Sequence, residues 1–182
     1  MRYILLLMLL LPFAAVAQSD FETSQHNFKF QYKDFTSEVR QMTRKRKDHI
    51  QIGYNWRGFN PEYRYADASN TENRFRVTHK LYGNKHICIN PRMEYRLFEK
   101  GDSHFRFRLK TTIKYDIQRF SLFVEFQPGW NLNRSEIDTQ TRAGFYYKLN
   151  DRLKFGPFIQ INTDKDFNRK TSWFGTNMSV SF

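Results

Sequence analysis

Residues 104–117, HFRFRLKTTIKYDI, decide the fold. Phe105, Phe107, Leu109, Ile113, Tyr115 and Ile117 alternate with Arg106, Arg108, Lys110, Lys114 and Asp116. A period of two belongs to an extended strand, whose successive side chains point to opposite faces. One face of this strand is apolar and aromatic, and the other is charged. The same rhythm runs outward in both directions. Towards the N-terminus it sets Ile87, Ile89, Met93, Tyr95 and Leu97 on one face of a strand over about 85–98. Over about 74–82 it sets Phe75, Val77 and Leu81 against Arg74, Arg76 and Lys80. Tyr63 and Tyr65 mark a strand over about 59–66, and Ile50, Ile52, Tyr54 and Trp56 another over about 49–56. The first strand, about 27–43, carries Phe28, Phe30 and Tyr32, breaks parity near Asp34 in the manner of a bulge, and resumes with Phe35, Ser37 and Val39. Four more strands follow, over about 120–132, 141–150, 153–164 and 171–182. The pattern predicts an all-β chain of about ten strands with no helix.

Connections alternate in length. Tight turns fall at Arg57-Gly58, Gly83-Asn84, Gln118-Arg119 and Asn150-Asp151-Arg152. Longer polar loops fall at Arg44 to Asp48, Asp67 to Asn73, Glu99 to Ser103, Asn133 to Gln140 and Asp164 to Lys170. An up-and-down antiparallel meander places all the long loops on one rim and all the tight turns on the other. Outer-membrane barrels show this asymmetry, with an even strand number and both termini on the short-turn side. Charge parity agrees. From the second strand onward the apolar register holds no Asp, Glu, Lys or Arg. The opposite register holds the bases Arg64, Arg74, Arg76, Lys80, Arg92, Arg96, Arg106, Arg108, Lys110, Lys114, Arg142, Lys148 and Lys154, with the acids Glu62, Glu94, Asp116 and Glu125. A face that excludes charge so completely meets either lipid or a dry core.

Period alone does not separate a transmembrane barrel from a soluble, lipocalin-like exported barrel with an apolar ligand inside. Three features favour lipid. Aromatics gather at strand ends, as at Tyr54, Trp56, Tyr115, Trp130, Tyr146, Tyr147 and Trp173. The expected strands have the length needed to cross a bilayer at a tilt. The chain also ends within a strand on alternating Phe174, Thr176, Met178, Val180 and Phe182. This ending resembles the C-terminal signal that outer-membrane barrels present to their assembly machinery, with Phe174, Met178, Val180 and Phe182 as its apolar positions.

Several strand motifs recur: Tyr63-Arg64-Tyr65, Arg74-Phe75-Arg76, Tyr95-Arg96-Leu97, Phe105-Arg106-Phe107-Arg108 and Tyr147-Lys148-Leu149-Asn150. In order and spacing they resemble an uncharacterised family of small outer-membrane-type barrels, a domain of unknown function, over most of the chain from His49 onward. The resemblance implies a barrel and no particular chemistry.

The N-terminus fits export. Arg2, an apolar run from Tyr3 to Phe13 and the small-residue site Ala15-Val16-Ala17 read as a signal peptide over 1–17, leaving 18–182 as one barrel domain. Its apolar run is shorter than the ~20 residues of a spanning helix. The expected address is the outer membrane of a Gram-negative bacterium, or the periplasm if the barrel is soluble.

The net charge of +12 directs attention to anions. A basic lumen cluster of Arg64, Arg74, Arg76, Arg92, Arg96, Arg106, Arg108 and Lys110 outnumbers its acids and either holds an anion or lies near the rims, where long side chains reach water. On the long-loop rim, Arg44, Lys45, Arg46, Lys47, Lys165, Arg169 and Lys170 form either a site for lipopolysaccharide phosphates or a solvated charge run. Membrane lipid, lipopolysaccharide and the barrel assembly machinery are therefore the expected partners. Catalysis has little support. Asp102-Ser103-His104 and Asp48-His49 loosely resemble the rim His-Asp pair of omptin proteases, which makes a rim hydrolase a remote alternative. A single cysteine, Cys88, and scattered histidines predict no metal site and no cofactor. The arginine-aromatic interleaving of Phe105 to Lys110 would fit nucleic acid in a cytosolic protein, but export removes that partner. The sequence thus predicts a non-enzymatic outer-membrane barrel, structural or anion-interacting.

Overall fold

A computed structural model describes residues 23–42, 48–67, 70–133 and 136–182, apart from the side chains of 23, 24 and 169. The described residues are all-β: β1 (Thr23–Tyr32), β2 (Phe35–Met42), β3 (Asp48–Tyr54), β4 (Phe59–Asp67), β5 (Glu72–His79), β6 (Tyr82–Gly83), β7 (Ile87–Phe98), β8 (His104–Ile117), β9 (Phe120–Asn131), β10 (Glu136–Lys148), β11 (Leu153–Asp164) and β12 (Arg169–Ser181). From β1 to β5 and from β6 to β12 each strand pairs with its neighbours in sequence, β5 pairs with β7, and β12 returns to β1, so the sheet closes. Closure removes every sheet edge, which lets a β-structure sit in an apolar medium without orphaned backbone groups. The two-residue β6 continues the line of β5 past a kink at Lys80-Leu81, so the wall has eleven staves.

Eleven rather than ten follows from one turn. The parity break at Asp34 is a hairpin, not a bulge: β1 and β2 are antiparallel with Tyr32 opposite Phe35, and Lys33 takes φ 49°. An odd number of alternating staves forces the last to run alongside the first. Accordingly β12 lies parallel to β1, from Thr23↔Trp173 to Gln31↔Ser181. This corrects the expectation of an even count with both termini on the short-turn rim. β1 starts at the long-loop end and β12 finishes at the short-turn end, where the Phe182 N–H donates to the Gln31 carbonyl at 2.9 Å.

The apolar register faces outward along the whole wall: Ile50, Ile52, Phe75, Val77, Met93 and Phe105 are about half exposed. Its aromatics meet across strands, Tyr63 on Phe75 at 5.2 Å, Tyr95 on Phe105 at 4.5 Å and Phe107 on Trp130 at 5.7 Å between ring centroids. Such pairs add to the ladder hydrogen bonds in holding register. This is the inside-out polarity of transmembrane barrels, and it removes the apolar interior that a lipocalin-like barrel requires. Two of the expected girdle aromatics are corrected. Trp173 shares the inward register of its cross-strand partner Gln160, and Tyr146 stacks inside on Phe123 at 5.0 Å.

Tight turns are sealed by side-chain acceptors. Asn84 Oδ1 accepts from the N–H groups of His86 and Ile87 at 2.8 and 2.7 Å, and Asn150 Oδ1 from those of Arg152 and Leu153 at 2.9 and 2.8 Å. Inside, Phe158 lies opposite glycines on both sides, Gly144 and Gly175. A Cβ at either would collide with Phe158, so the two glycines make room for this buried inward aromatic. Arg142 covers its ring, 3.8 Å from the centroid.

Candidate functional site: the basic lumen

Alternation delivers the polar register of every stave to the lumen, where pairing creates unfavourable rows. Arg64 stands opposite Arg74, Arg74 opposite Arg96, and Arg92 opposite Arg108. Like charges directly across a ladder repel. Carboxylates placed between them offset part of this repulsion. Glu94 accepts from Arg74 at 3.5 Å and faces Arg92 at 3.7 Å; Glu62 pairs with Arg76 at 3.1 Å, and Glu125 with Lys110 at 2.7 Å and Arg142 at 3.9 Å.

Three further acids belong to this network. Glu72 and Asp138 were expected in the long loops, but they lie within β5 and β10 and point inward. Glu72 holds Arg74 and Arg96, and Asp138 holds Arg106 and, at 3.5 Å, Arg108. Glu38, on the newly resolved β2, pairs with Arg40 at 2.7 Å. Their parity became readable only once the strand ends were fixed. Lys80, expected in the charged register, lies beyond the end of β5 and is exposed.

The structure brings Arg64, Arg74, Arg76, Arg92, Arg108 and Lys110 around one cavity of about 310 Å³, with Arg40 and Arg142, and every lining residue is polar or charged. Arg96 and Arg106 pair with Glu72 and Asp138 nearer the long-loop end. The idea that the excess charge reaches water near the rims holds for Lys114 and Lys154, which are exposed. It does not hold for Arg64, Arg76 and Arg108, whose exposures are 6, 6 and 8%. Arg64 reaches no carboxylate within 4 Å among the described residues, and its terminal nitrogen lies 3.3 Å from His49 Nε2. A second cavity of about 240 Å³ shares Lys29, Glu38, Lys110, Glu125 and Arg142 with the first and adds Lys114 and Lys154 towards the short-turn rim. At the opposite end, Gln25, Met42, His49, Ala66, Glu72 and His104 are buried.

The other expected residues are dispersed. Arg44, Lys45, Arg46 and Lys47 lie outside the described residues. Lys165 and Lys170 are exposed around the hairpin from β11 to β12; Arg169 begins β12, and its side chain lies outside the description. Asp48 and His49 are successive strand residues and so face opposite sides, with Asp48 outside and His49 inside against Arg64. His104 is buried and stacks on Phe98 at 5.5 Å. Cys88 Sγ donates to Asn90 Oδ1 at 3.4 Å in the inward register. Among the described residues, no group of three His, Cys, Asp or Glu side chains is placed to hold a metal ion. Phe174, Met178, Val180 and Phe182 share the outward register of β12.

The fold and lumen define a closed β-barrel of the transmembrane type with a charged interior. No protein-family model matches the chain, and no curated protein matches it. Among solved structures it is similar to one described as a bacterial polysaccharide outer membrane secretin, at 11% identity and a TM-score of 0.45 over 81% of this chain. The chain spans 64% of that protein's length.

Proposed function

We propose that the protein is a small, non-enzymatic β-barrel of the Gram-negative outer membrane, exported by a signal peptide over 1–17 and acting as a structural or anion-interacting component of the envelope. The observation that carries this reading is the polarity of the wall. Large apolar side chains cover the outside while carboxylates and guanidinium groups fill the inside, an arrangement that is stable only where the outside meets lipid. The recurring Tyr-Arg-Tyr and Arg-Phe-Arg motifs, which resemble a family of small outer-membrane-type barrels, support the same reading. Lipopolysaccharide phosphates are the partners proposed for Lys165, Lys170 and the basic run Arg44 to Lys47. The apolar face of β12, ending at Phe182, is proposed to present the chain to the barrel assembly machinery. Membrane fractionation combined with heat-dependent gel mobility tests the reading. The protein should sediment with outer membranes and run as a compact species in unheated detergent. Recovery in the soluble periplasmic fraction would sink it.

A further inference from the structure

We infer that the cavity beside Arg64 is a binding site for a free tetrahedral oxyanion of the phosphate class, held as the counter-ion of the lumen. This deepens the anion-interacting reading above and rests on it for the sign of the ligand. Four acids line the cavity, Glu38, Glu62, Glu94 and Glu125, and each is already engaged by Arg40, Arg76, Arg74 or Lys110. Arg64 stands at the same wall, buried, with no carboxylate in reach among the described residues. The Nε–H groups of Arg40, Arg76, Arg108 and Arg142, which also line the cavity, are buried without an acceptor. Arginine does not shed its proton, so these sites cannot be relieved by neutralisation. Water can accept their hydrogen bonds, but only an anion also offsets the charge that Arg64 leaves uncompensated.

An oxyanion meets that need better than a halide does. Its several oxygens accept from donors arriving from different staves, and guanidinium groups bind phosphate oxygens in pairs. The space of about 310 Å³ is room for on the order of ten waters, ample for one such ion with part of its hydration. The second cavity shares Lys29, Lys110 and Arg142 with the first and reaches exposed Lys114 and Lys154, which makes the short-turn end the side of entry in this proposal. The phosphate is free rather than a lipid head group, since no apolar residue lines the cavity to receive acyl chains.

The test is equilibrium dialysis of radiolabelled inorganic phosphate against the full-length barrel folded in detergent, at constant ionic strength set with chloride. Saturable binding is expected, displaced by sulfate and not by excess chloride. Arg64→Gln should weaken it tenfold or more, while Arg119→Gln, on an exposed turn, should bind as the unaltered protein does. If Arg64→Gln does not fold, Arg92→Gln replaces it, because Glu94 keeps Arg74 as a partner. Absence of saturable binding, displacement by chloride, or unchanged affinity in the folded lumen variants would overturn the site. Equal competition by dihexanoyl phosphatidic acid would overturn the assignment to a free anion. None of these outcomes depends on fractionation, so failure of the site and failure of the outer-membrane reading are separable.

Discussion

Glu72 accepts from Nε and a terminal nitrogen of Arg96 at 2.7 and 2.8 Å, and from Nε of Arg74 at 2.7 Å. The two arginines stand opposite each other on β5 and β7, where closure of the wall departs from strict sequence neighbours. A carboxylate at 2% exposure therefore holds two cations that would otherwise repel across the ladder.

Removing that carboxylate leaves two buried charges uncompensated. Glu72→Ala should cost about 3 to 5 kcal/mol, the usual penalty for breaking a buried pair on one side. Glu38→Ala removes a single, more exposed pair and should cost less. Urea titration of the folded barrel, followed by tryptophan fluorescence, compares them, and equal losses would contradict the bridging role of Glu72.

Much of this was legible in the sequence, and the failures have definite causes. Alternation across β7 and β8 reads directly, because every charged residue of either strand falls in one register. The turn at Lys33-Asp34 does not, since a two-residue hairpin and a bulge leave the same break in parity. Its residue with positive φ is moreover a lysine rather than a glycine or asparagine. That single ambiguity hid β2, with Glu38 and Arg40, and put the start of β1 at the wrong rim. Glu72 and Asp138 were hidden for another reason. An acid at the end of a strand resembles loop polarity until its partner, 24 residues away for Glu72 and Arg96, is known. That Arg64 has no carboxylate partner among the described residues is not written in any local pattern.

Ile113 and Val124 face each other outside on β8 and β9, while Lys110 and Glu125 pair inside at 2.7 Å. Ile113→Arg or Val124→Arg should cost about 2 to 4 kcal/mol in a bilayer. Lys110→Leu should also destabilise, because it exchanges a buried pairing for an unbalanced carboxylate. Guanidinium unfolding in vesicles measures both. A Lys110→Leu variant as stable as the parent would mean that this register faces water.

Phe182 is 69% exposed and anchors the end of β12 through its backbone N–H. Phe182→Asp should lower the yield of inserted protein in cells severalfold while leaving the unfolding midpoint of refolded protein nearly unchanged, because the backbone bond to Gln31 needs no aromatic ring. Pulse-chase assembly assays and refolding in detergent separate the two effects. Normal assembly in cells would remove the proposed role of the terminal aromatic.

The wall is uneven. β2, β3 and β4 have 8, 7 and 9 residues, whereas β8 has 14. At about 3.3 Å per residue and a tilt near 45°, seven residues rise about 16 Å and fourteen about 33 Å. The short side undershoots a thick hydrocarbon layer, and mismatch has a cost. Refolding yield should therefore be higher in dilauroyl than in dioleoyl phosphatidylcholine vesicles, as read from band shifts on unheated gels; a preference for the thicker bilayer would contradict it.

The central claim is that odd positions of β8 meet lipid and even positions meet the lumen. Single cysteines placed at 105 to 114 in a Cys88→Ser background, spin-labelled and reconstituted in vesicles, test it by collision with oxygen against a water-soluble nickel chelate. The account predicts oxygen-dominated relaxation at positions 105, 107, 109, 111 and 113 and low oxygen access at the positions between them. Oxygen access at the positions of Arg106, Arg108 and Lys110, with nickel access at those of Phe105, Phe107 and Leu109, would contradict it.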